Sequence, residues 1–183
     1  MIEANPLDPL VSWLLRSALA LLFASAALHK LRDLEDFRTT LADYEILPSA
    51  WVSVGVGMLI ASESGVAIML LGVGGAAAGL ASLVLLTLYS FAIGLNLMRG
   101  RREIDCGCLG PAFRQPLSPG LILRNAILGV AAAAVALPVG VRSLHAIDGI
   151  SLVFGLVTLA LLFHAIQILA AQTWSWGDRE NAS

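Results

Sequence analysis

The chain has 183 residues, of which 58% are hydrophobic and 13% charged, with a mean hydropathy of +0.84 and a formal net charge of -2. A soluble domain carries about 25% charged residues, so this composition excludes a globular protein covered by polar surface, and the acidic balance excludes a basic nucleic-acid surface. In a bilayer the same composition is at home, because lipid solvates apolar faces while each helix satisfies its own backbone groups.

Crossing the hydrocarbon takes roughly 20 mostly apolar residues. Five windows meet that length: 10–28, 51–71, 76–98, 121–141 and 147–171. The expectation is an all-α integral membrane bundle of about five transmembrane helices, a single domain over residues 1–183, with membrane lipid as its surroundings. The first window ends in Ala24-Ser25-Ala26, which looks like a signal-peptide cleavage site. However, its apolar run is long and the residues before it include Glu3 and Asp8 but no Lys or Arg, so a retained helix is the better reading.

Between the first two windows, Leu31, Leu34, Phe37, Leu41 and Tyr44 recur at helical spacing with Arg32, Asp33, Glu35, Asp36 and Arg38 among them. That pattern predicts a short amphipathic helix at the membrane interface or prolonging the first span, ended by Pro48. A tight Gly-rich turn at Gly72, Gly74 and Gly75 joins the second and third windows. The small residues of Gly75–Gly79 and Ala131–Ala134 permit close helix contact. The two longer connections, 29–50 and 99–120, emerge on one face, because two helices separate them.

That face holds Lys30, Arg32, Arg38, Arg99, Arg101, Arg102, Arg114 and Arg179, against Arg142 on the other. The positive-inside tendency places it in the cytoplasm. A role in oxidative folding would place it outside, so the side of the 99–120 connection stays open.

Both cysteines lie in that connection, in Asp105-Cys106-Gly107-Cys108-Leu109-Gly110-Pro111. Two thiols one glycine apart can close only a very small ring, which resists ordinary disulfide geometry; Gly107 supplies the backbone freedom that permits it. A strained disulfide is more easily reduced and is a better oxidant. Arg101, Arg102 and Arg114 would favour a thiolate nearby, and Asp105 would oppose one. Three readings stand open at this point: a redox pair, two incidental small residues in a turn, or a soft-metal site at Cys106 and Cys108. His29 ends the first helix on the same face, and His164 lies about two turns below it in the fifth; each is either a structural residue or a ligand or proton relay.

Glu63, in the middle of the second window, is expensive in lipid and should face the bundle interior with a partner. Counting residues from the membrane faces puts Arg16 at a depth that differs by only about 4–5 Å, within reach of its side chain, and makes it the expected partner. Asn96 and Asn125 lie just beneath the cysteine connection, placed to cap or cross-link helices.

Three groups of residues together resemble the methylamine-utilisation family MauE, within the wider DoxX-like group of redox-associated membrane proteins. They are Arg99-Gly100-Arg101 followed by Asp105-Cys106-Gly107-Cys108-Leu109-Gly110 and Arg124-Asn125; His29-Lys30-Leu31 with Phe37, Leu41, Tyr44 and Leu47-Pro48; and Glu63. The likeness covers about residues 10–170. It implies a part in maturing methylamine dehydrogenase, an extracytoplasmic client whose small subunit needs several disulfides, together with a separate thioredoxin-like partner. It further implies Cys106 and Cys108 as the redox pair and Glu63 and Arg124 as family-typical polar residues. Leu109 stands where an aromatic residue is expected. The resulting expectation is a thiol–disulfide oxidoreductase component of the cell membrane, with Arg16, Arg101, Asn125 and His29 as supporting polar residues and a quinone as a candidate electron acceptor. The alternatives are a non-catalytic assembly subunit and a metal-handling protein.

Overall fold

The computed structural model describes residues 7–72, 74–107 and 115–180. Among these the chain forms six α-helices and no strand: α1 (Pro9–Arg32), α2 (Leu34–Asp43), α3 (Val52–Leu71), α4 (Gly75–Met98), α5 (Pro119–Val135) and α6 (Ala146–Glu180). A single 3-10 turn, Ser49–Trp51, leads into α3. The local signals explain the boundaries. Asp8 accepts a hydrogen bond from the Leu10 N–H at 2.8 Å, with Pro9 in the first turn of α1. Asp33 ends α1 and caps α2 through the Asp36 N–H at 3.2 Å.

Four segments are long and apolar enough to cross a membrane: Pro9–Arg32, Ser49–Leu71, Gly75–Met98 and Ala146–Ile166. The fourth expected span is shorter than its window, since α5 stops at Val135 after 17 residues, about 25 Å of helix. Pro138 disfavours helix in the residue before it. Beyond α5 the chain instead runs beside Leu7, whose N–H donates to the Pro138 carbonyl at 2.8 Å and whose carbonyl accepts from Gly140 at 2.9 Å.

The chain divides into two units, residues 1–142 and 143–183. In the first, α1 packs on α3, α4 on α5, and α3 on α4. The core joins Leu19, Ala20 and Phe23 of α1 with Val66, Ala67 and Leu70 of α3, Leu85 and Leu86 of α4, and Ala132 and Val135 of α5. Large apolar side chains such as Met58, Ile68, Phe91 and Val130 point outward, as expected where lipid is the solvent. Helix association in lipid relies on close packing, and the small residues supply it: a Cβ on Gly79 would lie 2.6 Å from the Ala132 carbonyl oxygen. The second unit is α6, whose Asp148 side chain accepts from the His145 N–H at 2.8 Å at the helix start.

At the cysteine-free end of the first unit, Arg142 Nε donates to Asp8 Oδ2 at 3.1 Å. That hydrogen bond, aided by the Leu10 N–H, holds the Asp8 carboxyl below the usual carboxylate range. Arg16 serves the same end. Its Nε donates to the Leu70 carbonyl at 2.7 Å, its guanidinium stacks 4.4 Å from the Trp13 ring centroid, and Gly74, at φ 61°, leaves the space it fills.

Candidate functional site

Four segments converge at the opposite end of the first unit: the end of α1, the amphipathic helix α2, the connection 101–107 with 115–118, and the start of α5. The connection is pinned as a narrow loop. The Cys106 N–H donates to the Gln115 carbonyl and the Gln115 N–H to Asp105 Oδ1, both at 2.9 Å, while the Leu117 N–H bonds the Arg102 and Ile104 carbonyls. Leu117 is fully buried and anchors this loop to Tyr44, Ile93 and Leu121, with half-buried Cys106 packed against the same cluster. Gly107 adopts φ 69°, and a Cβ there would meet Thr40 Cγ2 at 3.1 Å and the Phe37 ring at 3.4 Å. Gly107 is therefore pressed against α2. Cys108 lies outside the described residues, as does Arg114.

Arg124, in the second turn of α5, brings Nη2 to 3.9 Å from Cys106 Sγ and to 3.4 Å from Asn125 Oδ1. Asn125 is buried, and its Nδ2 has no hydrogen-bond acceptor among the described residues; nor has the Oδ1 of fully buried Asn96 a donor. Arg101 is turned elsewhere: it pairs with Glu45 and donates to the Asp43 carbonyl at 3.4 Å, fastening the connection to the end of α2. The hydrogen bond from Arg101 holds the Glu45 carboxyl below its ordinary range.

Glu63 does face the interior, but its partner is not Arg16. The Glu63 Oε1 atom accepts from Lys30 Nζ and from the Tyr89 hydroxyl, each at 2.6 Å, and the Lys30 and Glu63 side chains are 2% and 1% exposed. Lys30 Nζ also stands 5.0 Å from the Phe37 ring centroid and 5.6 Å from that of Tyr89. The expected Arg16–Glu63 pair fails for a physical reason. Arg16 satisfies the last carbonyls of α3, where a helix C-terminus leaves acceptors unpaired and carries partial negative charge. Glu63 sits seven residues back along α3, about 10 Å away. Neither Lys30 nor Tyr89 was a predicted site residue. The signal for Lys30 was available, since an intramembrane carboxylate calls for a cation and α1 needs only one more turn to supply it.

A small cavity of about 10 Å³, room for about one water, separates Lys30, His29, Phe37 and Thr40 from Asp105 and Gly107. It brings Lys30 of the buried ion pair and Gly107 of the cysteine motif to two sides of one space. A second cleft, about 220 Å³, opens between α2 and the connection and is lined by Asp36, Asp43, Glu103 and Asp105 with Thr39 and Thr40. Its carboxylates suit water and cations rather than a quinone ring. Among the described residues no three His, Cys, Asp or Glu gather as a metal-binding group.

A Lys at the end of the first span, a Glu inside the second, and an Arg-Asn pair in the helix beneath Cys106 place the described resemblance-bearing residues in one region of one fold. The sequence profile of the family described as "Methylamine utilisation protein MauE" matches residues 8–138. The chain belongs to the MauE family. Among its relatives is the methylamine utilization protein MauE of Paracoccus denitrificans, 40% identical over 131 residues, 71% of this chain and 70% of that protein. The MauE protein of Methylorubrum extorquens is 39% identical over 134 residues, 72% of each chain. That of Methylophilus methylotrophus is 32% identical over 165 residues, covering 88% of this chain and 87% of the relative. No solved structure matches the chain significantly. The MauE profile covers the whole helical part of the first unit, from the Asp8 cap past the end of α5, and with the apolar spans it makes this a multi-pass membrane protein.

Proposed function

We propose that this MauE-family chain serves methylamine utilisation as a thiol–disulfide component of the cell membrane. In this reading Cys106 and Cys108 exchange disulfides with a separate thioredoxin-like protein, supporting maturation of an extracytoplasmic client such as methylamine dehydrogenase. The observation that carries the reading is the placement of Cys106: it sits in a pinned turn at the membrane end, beside the Arg124 guanidinium. A nearby cation is what a working thiolate requires, and an incidental small residue in a turn has no use for one.

Exchange proceeds by attack of a thiolate on a disulfide sulfur through a mixed disulfide. Two electrons pass from the partner dithiol to the pair, or from the pair to a partner disulfide in the opposite direction. Oxidative maturation requires the turn to face outward, against the arginine bias. Labelling of intact cells with a membrane-impermeant maleimide tests that side: thiols labelled only after lysis would rule out the outward orientation.

The chemical test is thiol alkylation after equilibration in glutathione buffers. The expected result is a reversible two-electron transition at a potential less negative than about -300 mV, the region below which structural disulfides lie. Replacing either cysteine should abolish it. Thiols that stay reduced at every potential, with no mixed disulfide trapped in Cys106→Ser or Cys108→Ser, would overturn the reading in favour of an assembly role. Stoichiometric copper or zinc on the purified protein would favour metal handling.

A further inference from the structure

A buried lysine and glutamate are a costly way to join two helices, since apolar residues of the same size do it as well or better. What the Lys30–Glu63 pair holds besides α1 and α3 is therefore informative. Lys30 Nζ donates to Glu63 Oε1, and two aromatic faces add to its support, with the Phe37 centroid at 5.0 Å and the Tyr89 centroid at 5.6 Å. An ammonium within about 6 Å of a ring centroid is attracted to the ring face, most strongly where water is excluded. Phe37 belongs to α2 and packs with Val56 and Ile60 of α3. The edge of its ring meets the cysteine motif. A Cβ at Gly107 would lie 3.4 Å from Phe37 Cε2 and 3.5 Å from Cδ2, while Thr40 Cγ2 closes the same side at 3.1 Å. Gly107 is bonded to Cys106 and adopts φ 69°, a left-handed conformation open to glycine. A line of contact thus runs from Glu63 through Lys30 and Phe37 to the residue beside the sulfur.

Resting on the redox reading above, we propose that Phe37 is a positioning residue for Cys106 and that the Lys30–Glu63 pair holds Phe37 in place. The pair fixes the ammonium, the ammonium fixes the ring, and the ring fixes the backbone next to the sulfur. Apolar packing on Val56 and Ile60 keeps Phe37 out of water, but burial of this kind has no preferred direction. The cation supplies one, because only the face of the ring attracts it. Direction matters for thiol–disulfide exchange, whose reacting atoms must be held in an attack geometry, so that a turn free to wander loses rate with its chemistry intact. Glu63, a carboxylate inside a membrane span, then acts on the cysteine motif through Lys30 and Phe37.

The test uses the full-length protein in detergent, with Cys108→Ser leaving Cys106 as its sole thiol, and replaces Phe37 by phenylalanines carrying one, two and three ring fluorines. Fluorine nearly preserves the shape of the ring and withdraws negative charge from its face, so a role in packing alone would not register the series. The rate of iodoacetamide alkylation at one alkaline pH should rise in steps, to about two- to fivefold for the trifluorinated ring, as half-buried Cys106 gains freedom. In Lys30→Met/Glu63→Leu, which removes the cation without stranding a buried charge, the same series should be flat. A flat series with Lys30 in place overturns the proposal, and so do equal steps with and without Lys30. If the double variant does not fold, the series in the Lys30 protein decides alone. The two proposals fail separately. Stepped rates in a protein whose wild-type pair never cycles remove the redox role, whereas a cycling pair with a flat series removes only the positioning by Phe37.

Discussion

The two ends of the α1–α5 unit solve the same problem, placing cations at a membrane boundary, in opposite ways. At the cysteine-free end every cation has an immediate structural duty: Arg142 holds Asp8 and Arg16 closes α3 on the Leu70 carbonyl. Both stay partly exposed, so little desolvation is at stake. At the cysteine end Lys30 and Glu63 are almost wholly buried, and among the described residues Glu63 Oε2, Asn96 Oδ1 and Asn125 Nδ2 find no hydrogen-bond partner. Such groups cost stability when buried, and unsatisfied ones cluster where a protein has a task beyond folding. One end is built to hold together and the other to keep polar groups ready in a dry place.

The largest effect expected from this contrast is at Lys30. Lys30→Met removes one partner of a buried pair and should cost roughly 3–5 kcal/mol, read as a drop in thermal stability in detergent. Lys30→Met/Glu63→Leu should recover much of it, because an apolar pair of similar size carries no buried charge. A double variant as unstable as the sum of the singles would mean that the two residues are not coupled. Next comes the closed end, where Gly79→Leu would drive a side chain into the Ala132 carbonyl and force α4 from α5. Overpacking of this kind costs about 1–3 kcal/mol, and a melting temperature equal to wild type would show that the seam can open.

Tyr89→Phe should cost about 1.5–3 kcal/mol if the phenol bonds a charged Glu63, and nearer 1 kcal/mol if it bonds a neutral one. The comparison of Tyr89→Phe alone and in the Glu63→Gln background reads which applies. The smallest effect belongs to the Asp8–Arg142 clasp. The Asp8 carboxyl titrates below its unfolded value, so its contribution is present above that value and is lost as pH falls through the folded one. Thermal melts of wild type and Asp8→Asn should therefore differ at pH 6 and converge in acid, once the pH falls below the folded carboxyl's lowered range. Equal melts at pH 6 would show that the charge of Asp8 contributes nothing, since Asn caps a helix about as well as Asp.

Much of this fold is written in the hydropathy of the chain. Four of five windows recur as long apolar helices, and α2 appears where Leu34, Phe37 and Leu41 alternate with charge, because lipid length and helical period act locally. The remaining window, the fourth, ends early as α5: Pro138 lies inside it and disfavours helix just before it, and residues 138–140 pair with the Leu7 backbone, a long-range contact that no local window contains. Glu63 was legible as an intramembrane carboxylate and Arg124 as a neighbour of the cysteine motif. The partner of Glu63 was not, because depth counted residue by residue treats helices as parallel rulers, whereas α1 runs on to Arg32 and carries Lys30 inward. Tyr89 left no mark at all, since one aromatic residue in an apolar helix has the pattern of core or lipid-facing residues alike. Which arginine faces a cysteine depends on where Glu45 captures Arg101, and that is again decided in three dimensions.

Gly107 carries one more consequence. Its missing side chain is the slot into which Phe37 and Thr40 of α2 fit, so the middle letter of the cysteine motif is dictated by a helix far upstream. Even an alanine would wedge the turn away from α2 and disturb the space shared with Lys30. In related chains the residues at positions 37, 40 and 107 should consequently drift together: a bulkier centre to the motif demands a trimmed helix, and a pattern of two cysteines around any residue describes a different molecule.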